Sequence, residues 1–275
     1  MKTAFNTMLK NEEKLLPSIL KIWSSYPVDL FIFYDDNSTD SSVDIIKEML
    51  PKNRYIIVND KLPKFNESYY RQKMIDTSRE NKVEFVFSID CDELLTSNIS
   101  KNFNDFIRIF NEVDLNLYWY NCVNNTIKQY RSDPQYKNNF RSFVLPLNKT
   151  GNLNLNSWKY HTPRTPFVNL PKSSTKEYGV LHLQAINKKF YAIKQLWYKH
   201  FEFVNYKHTV DFINSRYDPV INNLEFNEQL INESLIEGIE FDSKIYEGLE
   251  VEKGYMDFIH KNYNESLVTF GKEYL

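Results

Sequence analysis

Apolar and polar positions alternate along the first ninety residues in blocks that read as strands separated by helices. Residues 3–9 form a moderately apolar run, Thr3-Ala4-Phe5-Asn6-Thr7-Met8-Leu9, and Leu15, Leu16, Ile19, Leu20 and Trp23 follow at helical spacing. Asn11 is placed to cap that helix, Glu12 and Glu13 suit its first turn, and Pro17 falls within its first two turns, where a helix tolerates proline. Residues 28–34 read as a second strand. Residues 41–50 read as a helix with Val43, Ile46 and Met49 or Leu50 on one face, and residues 54–58 as a third strand. Residues 67–79 have helical character. Residues 83–95 open as a β-branched and aromatic run and end in Asp90, Asp92 and Glu93; they read as a fourth strand, buried on both faces, with an acidic tip. The order β-α-β-α-β-α-β predicts a parallel sheet with right-handed crossovers.

Beyond the tip, Phe103, Phe106, Ile107 and Phe110 mark a helix, and residues 113–122 alternate as a strand around Leu115, Leu117, Trp119 and Tyr120. The polar stretch 124–139 reads as a long functional loop. Residues 140–147 and 179–183 read as strands. The segment 149–178 between them is turn-rich, with Pro163, Pro166 and Pro171. From Asn187 onward the pattern is helical, first over 190–203 and 210–217. Lys194 to His200 fall on one such helix, and Lys199 and His200 read as part of a solvated face. The expected organisation is one α/β domain over residues 1–186, its sheet mostly parallel and flanked by helices. A C-terminal helical extension over 187–275 packs on it.

Composition changes this picture little. The chain has 275 residues, 42% hydrophobic and 25% charged, which is ordinary for a globular protein with an ample core. A formal net charge of -2 argues against a nucleic-acid partner and against a general attraction to anionic membranes. Aromatics, at 16%, are read first as core material. Cys91 and Cys122 form no disulfide framework and read as small buried residues. Residues 1–14 lack the apolar segment of a signal peptide, and no stretch approaches the ~18–20 apolar residues of a transmembrane helix, so a cytoplasmic location is expected.

The acidic tip carries the chemistry. Three carboxylates at the end of a buried strand need a cation or a ligand to meet them, and in an open α/β sheet ligands bind at the carboxyl ends of strands. Asp90 and Asp92 offer two hard oxygen ligands, suited to Mn2+ or Mg2+ with a diphosphate supplying further oxygens. A phosphatase of the D-x-D-x-T/V type is excluded by Leu94 at its fifth position. An EF-hand over residues 35–46 is excluded by Asp40 at its sixth position and Ile46 at its twelfth. The turn Asp35-Asp36-Asn37-Ser38-Thr39-Asp40 instead reads as a strand-end turn facing a ligand. Its carboxylates can accept hydrogen bonds from a ribose hydroxyl or a base N–H, with Thr39 or Asp40 capping the next helix.

Three motifs in order, Met8-Leu9-Lys10-Asn11-Glu12-Glu13, Tyr34-Asp35-Asp36-Asn37-Ser38-Thr39-Asp40 and Phe87-Ser88-Ile89-Asp90-Cys91-Asp92-Glu93, resemble the successive motifs of family 2 glycosyltransferases with the GT-A fold. The resemblance covers roughly the first 120 residues. Phe140-Arg141-Ser142-Phe143, Tyr160-His161 and Val180-Leu181-His182-Leu183 extend it more loosely. It implies a GT-A-type, Rossmann-like sheet and a UDP-sugar donor. Asn11 and Glu12 would lie near the nucleotide, Asp35 or Asp36 would bind uracil or ribose, and Arg71 would approach the nucleotide from the third helix. Asp90 and Asp92 would hold the metal and the diphosphate, with His182 returning a further ligand. Where relatives follow the first histidine with Glu, this chain has Thr162, so the general base stays open among Glu177, Asp133 and His161. The expected activity is transfer of the sugar to a hydroxyl of a glycan or glycoconjugate, with inversion. Two alternatives stand beside it. One is a catalytically silent nucleotide-sugar or glycan-binding protein on the same fold. The other is a sugar-nucleotidyltransferase, disfavoured because the loop after the first strand carries no glycine.

Overall fold

The structure is a computed structural model. It describes all residues other than 63–64, 154–163, 223 and 247–249, and side chains other than those of 250–253. In chain order the elements are β1 (Thr3–Leu9), α1 (Leu16–Trp23), β2 (Leu30–Asp35), α2 (Ser42–Met49), β3 (Tyr55–Val58), α3 (Glu67–Glu80), β4 (Phe85–Ser88) and β5 (Glu93–Leu95). Next come α4 (Ser97–Lys101), α5 (Phe103–Ile109), β6 (Asp114–Val123), β7 (Thr126–Arg131), β8 (Phe140–Arg141), β9 (Val144–Pro146) and β10 (Lys172–His182). The last are α6 (Lys188–Tyr206), α7 (Val210–Asn222), β11 (Glu228–Leu230) and α8 (Glu250–Lys261). The chain divides into two compact units: Met1–Tyr120 with Asn138–Leu181 and Asn232–Glu240, and Asn121–Lys137 with His182–Ile231 and Phe241–Leu275.

The first unit is built on a five-stranded sheet in the order β3-β2-β1-β4-β9. The four strands predicted in the first ninety residues pair in parallel, and β9 closes the edge antiparallel to β4. β2 and β4 are buried along their whole length, which is why their sequences read as unbroken apolar runs. One face packs Ala4, Ile32, Val86 and Leu145 against Tyr70, Met74 and Ile75 of α3. The other is aromatic: the Phe5 ring meets Trp23, Phe31 and Phe87 at centroid distances of 5.5, 5.7 and 5.4 Å, and Phe87 stacks on Phe103 at 5.6 Å. The abundance of rings is, here, core. The order of β1, β2 and β3 runs outward from the sheet centre, and β4 then returns to the opposite side of β1. The topological switch point therefore lies between β1 and β4, with the carboxyl ends of both strands beside it.

The segment read as one strand over 83–95 is two. β4 stops at Ser88, and Glu93 N–H donates to Asp90 O at 3.1 Å, closing a four-residue turn; β5 then belongs to a second sheet beside β10. Two other expectations change. Asn11 does not cap α1, which begins after Leu15; it takes a left-handed backbone (φ 56°) in the loop after β1. The stretch 124–139 contains a hairpin arm, β7, followed by a short 3-10 turn. Asn124 and Asn125 both adopt positive φ (57° and 54°), the conformation of a two-residue hairpin turn that asparagine tolerates.

In the second sheet β8 pairs with β6, and β6 neighbours β10. Gly179 of β10 passes so close to β6 that a Cβ there would lie 2.4 Å from the Tyr120 ring and 2.8 Å from Tyr118 O. Both backbone groups of Gly179 are also tied to Thr96. Because the carbonyl cannot move aside as a flexible side chain would, Gly179→Ala is expected to cost about 1–3 kcal/mol, by the general cost of overpacking. A thermal melt within 1 °C of wild type would show that the strand gives way instead.

The second unit gathers Leu196 of α6, Ile213, Tyr217 and Ile221 of α7, and Ile259 of α8 into one cluster with Leu267 and Val268. Asn187 caps α6, its side chain accepting from Phe190 N–H at 3.0 Å. Lys199 and His200, read as solvated, are both fully buried. Lys199 pairs with Asp218 and reaches Thr269 Oγ1 at 3.4 Å, while His200 Nδ1 meets Leu196 O at 2.8 Å. Among the described residues no helix is long and apolar enough to cross a membrane.

Candidate active site

Two loops, after β1 and after β2, are laced together at the carboxyl end of the first sheet. Asn11 N–H donates to Ser38 Oγ (3.0 Å), Glu12 N–H to Ser42 Oγ (2.7 Å) and Glu13 N–H to Asp40 Oδ2 (3.0 Å). In return Asn11 Oδ1 accepts from Thr39 N–H (2.8 Å) and Glu13 from Ser41 N–H (3.1 Å). Asp40 also accepts from Ser42 N–H at 3.0 Å, a local side-chain turn; the N-cap of α2 is Ser41, not Thr39 or Asp40. The left-handed turn at Asn11 is what aims its amide and its side chain at the same neighbouring loop.

Asp35 and Asp36 stand at the centre of this lacing and are buried, at 5% and 8% exposure. Asp35 accepts from Ser38 N–H (3.0 Å) and from Asn59 Nδ2 (2.8 Å). Asp36 accepts from the Tyr70 hydroxyl (2.7 Å) and pairs with Lys10 Nζ (3.1 Å). An ionised carboxylate has about four lone-pair sites, so each retains acceptor capacity for a ligand. Burial, with the hydrogen bond to Asp36 adding to it, raises the Tyr70 hydroxyl far above its ordinary range, so it stays a donor.

The first two turns of α3 bind the two strand ends to each other. Tyr70 reaches the Asp36 turn, and the next residue, Arg71, reaches the acidic turn. The Arg71 guanidinium, 3% exposed, pairs with Glu67 (2.9 Å) and lies 3.2 Å from Ser88 Oγ and 3.4 Å from Asp90 Oδ1. From the other side Arg164 donates to Asp90 Oδ2 at 2.7 Å and to Glu93, and its guanidinium lies over the rings of Trp119 (5.3 Å) and Phe143 (5.2 Å). Glu93, fully buried, also accepts from Trp119 Nε1 (2.8 Å) and from Asp90 N–H (2.9 Å). Cys91 is buried with its thiol 3.7 Å from Met8 O, while Asp90 and Asp92 on either side are half-buried, so the turn keeps the alternation expected of a strand.

Charge in this cluster is unbalanced. Four carboxyl groups (Glu67, Asp90, Asp92, Glu93) stand against two guanidiniums (Arg71, Arg164). Burial pushes the Glu93 carboxyl up to about 7; Arg164 opposes this, and Asp90 and Asp92 add to it. A carboxyl raised in the fold favours the protonated state, so its stabilising contribution is complete below about 4.5, the ordinary value, and is lost as pH rises through about 7. Relative to Glu93→Gln, which fixes a neutral side chain, the wild-type melting temperature is expected to fall as pH rises across that window. Melting curves that run parallel from pH 4.5 to 7 would refute this assignment.

The arrangement can be tested for a divalent cation. Both oxygens of Asp90 already face guanidiniums, and those of Glu93 are taken by Arg164, Trp119 and an amide, so neither fits as a ligand in this state. Among the described residues no three His, Cys, Asp or Glu side chains converge as a metal centre. Asp92, half-buried beside a net negative cluster, is the carboxylate that fits, with remaining ligands coming from a bound diphosphate or water.

Glu177 is exposed on β10, its carbonyl accepting from Asn98 Nδ2 at 2.6 Å. Asp133 belongs to the second unit, where its carboxylate is buried against Arg131 and accepts from Asn227 N–H (3.1 Å). His182 is also in the second unit, buried, with Nδ1 2.8 Å from Asn121 Oδ1. His161 lies outside the described residues. Sequence reading missed Arg164, Trp119, Asn59 and Tyr70. The Glu67–Arg71 pair had a local signal in its i, i+4 spacing; Arg164, in Pro163-Arg164-Thr165-Pro166, had none.

No protein-family model matches the sequence, and no curated protein does. Among solved structures, the chain is similar to S. aureus TarS at 12% identity and a TM-score of 0.49, over 98% of this chain and 50% of that one, so it spans half the length of that protein. It is similar to S. aureus TarS 1-349 in complex with UDP-GlcNAc, at 12% identity and a TM-score of 0.49, over 98% of this chain and 84% of that one. Over 34% of each chain, at 18% identity and a TM-score of 0.28, it is also similar to glucosyl-3-phosphoglycerate synthase from Mycobacterium tuberculosis in complex with Mn2+, UDP and glucosyl-3-phosphoglycerate.

Proposed function

We propose that the chain is a metal-dependent glycosyltransferase of the GT-A type. It would transfer a sugar from a UDP-sugar to a hydroxyl of a glycan or similar acceptor, with inversion. The observation that carries this reading is the acidic turn Asp90-Cys91-Asp92-Glu93 at the switch point between β1 and β4, where a parallel α/β sheet binds its ligand. Asp35 and Asp36, fixed by Asn59 and Tyr70, would orient the nucleoside by accepting its N–H or hydroxyl groups. Asn11 and Glu12, in the loop laced to theirs, would border the same nucleotide. Arg71 pairs with Asp90 at 3.4 Å and would hold it in place.

Asp92 would hold Mn2+ or Mg2+, and the cation would neutralise the departing diphosphate. An inverting reaction also needs a base to take the acceptor proton. Asp133 is committed to Arg131 and a backbone amide, which makes it a poor acceptor of that proton. Glu177, an exposed carboxylate in the same unit as the acidic turn, is the base this reading retains beside His161.

Calorimetric titration with UDP, with and without Mn2+, tests the proposal. Binding that depends on Mn2+ is expected, and no metal-dependent binding would sink it. Binding without hydrolysis or transfer across a panel of UDP-sugars would favour a silent sugar-nucleotide-binding protein instead.

A further inference from the structure

The two guanidiniums at the acidic turn are not equivalent. Arg71 is 3% exposed and locked by Glu67 and Ser88 as well as Asp90. Arg164 is 15% exposed, and its charged partners are the carboxylates of the turn itself. Its backbone is held independently, Ser88 Oγ donating to Arg164 O at 3.3 Å, so the side chain can move without its anchor. It lies over the faces of Trp119 and Phe143, contacts that constrain the guanidinium less strictly than a hydrogen bond does. A monovalent cation of the protein thus occupies the oxygens that a divalent ion at Asp90 would need. Even with it there, carboxyl groups outnumber guanidiniums by four to two.

We propose that Arg164 is an exchangeable cation of the donor site: with the site empty it neutralises Asp90 and Glu93, and on donor binding it passes to the diphosphate, releasing Asp90 to join Asp92 at the divalent ion. The inference rests on the donor reading above. It gives one positioning residue two seats, both chemically natural for a guanidinium, which pairs with carboxylate and phosphate oxygens alike. It also couples the two ligands. The metal gains a second carboxylate only when the diphosphate has drawn Arg164 away, so each ligand strengthens the other's binding.

The test measures Mn2+ and UDP separately on Arg164→Ala and Arg164→Lys. Mn2+ binding without nucleotide, followed by electron paramagnetic resonance, is expected to tighten about tenfold in Arg164→Ala, because a competing charge at Asp90 is gone. UDP binding at saturating Mn2+ is expected to weaken about tenfold in the same variant, because a charge-assisted contact to phosphate is lost. Arg164→Lys keeps the charge and should leave Mn2+ binding near wild type while recovering part of the UDP affinity. Opposite signs for the two ligands are the signature; a merely structural arginine would weaken both together. Parallel losses, or no change in either, would overturn the proposal while leaving metal-dependent UDP binding by the wild type intact. If the wild type itself binds no UDP, the donor reading fails, and the nucleotide-free Mn2+ titration still reports whether Arg164 competes. Should Arg164→Ala not fold because Glu93 is stranded, Glu93→Gln/Arg164→Gln keeps an uncharged contact and carries the same two expectations.

Discussion

Asp92→Ala is expected to abolish sugar transfer while leaving the fold in place. The residue sits half-buried in a tight turn whose own hydrogen bonds run through Asp90 and Glu93, so removing its carboxyl disturbs no bond that closes the turn. The bonds that close the turn stay in place, so a cooperative melt is anticipated, with a loss within the roughly 0.5–3 kcal/mol usual for a single substitution. The loss of turnover should be on the order of a thousandfold or more, since mutations that remove one element of charge stabilisation on a departing group already cost 10²–10³. Turnover measured across a metal titration, beside a thermal melt, separates the two effects. Asp92→Asn should behave similarly, because it keeps the shape and loses the charge. Wild-type turnover in either variant would refute the metal role.

Arg71→Ala should do the reverse and strike the fold first. Its guanidinium satisfies Glu67, Ser88 and Asp90 in a site from which water is almost excluded. Truncation leaves a buried carboxylate at Glu67 with its cation gone, and breaking a buried pair from one side costs about 3–5 kcal/mol. For a chain of this size that is a fall in melting temperature of roughly 10 °C. The double variant Glu67→Gln/Arg71→Met removes both charges and should recover most of the loss, as paired replacement of buried ions does. Denaturant unfolding of the single and double variants decides it. A single-variant loss below 1 kcal/mol would mean that solvent reaches the pair and that the burial described above does not hold in solution.

The sheet was legible because burial on both faces leaves an unbroken apolar run, and β2 and β4 are such runs. The acidic turn was legible for the converse reason: three carboxylates after such a run have no place in a core. What stayed hidden was partnership. The pattern reports that residues 67–79 are helical and that Trp119 lies on a strand, but not that Tyr70, Trp119 and Arg71 meet Asp36, Glu93 and Asp90. Arg164 is the clearest case: it arrives from a proline-rich stretch with no pattern of its own and meets a turn more than seventy residues earlier. Asn11 misled because the residue that favours a helix cap also favours a left-handed turn, and here the neighbouring loop, not the helix, supplies its partners. The 124–139 stretch misled through its polarity, although the Asn124-Asn125 pair at its head was a hairpin signal in plain view.

The interleaving of the two units has a consequence for synthesis. The first unit includes Asn232–Glu240, whose Ser234 carbonyl accepts from Ser97 Oγ at 2.9 Å and whose Glu237 pairs with Lys101. On a ribosome that delivers about 5–20 residues each second, β1 to β4 emerge many seconds before that last segment does. Most of the second unit is made in the interval. The sheet is complete in sequence once β9 has emerged, but α4 still lacks its final contact. The first unit is finished only after most of the second has been made, and a premature stop before residue 232 would leave α4 without its Ser234 and Glu237 contacts.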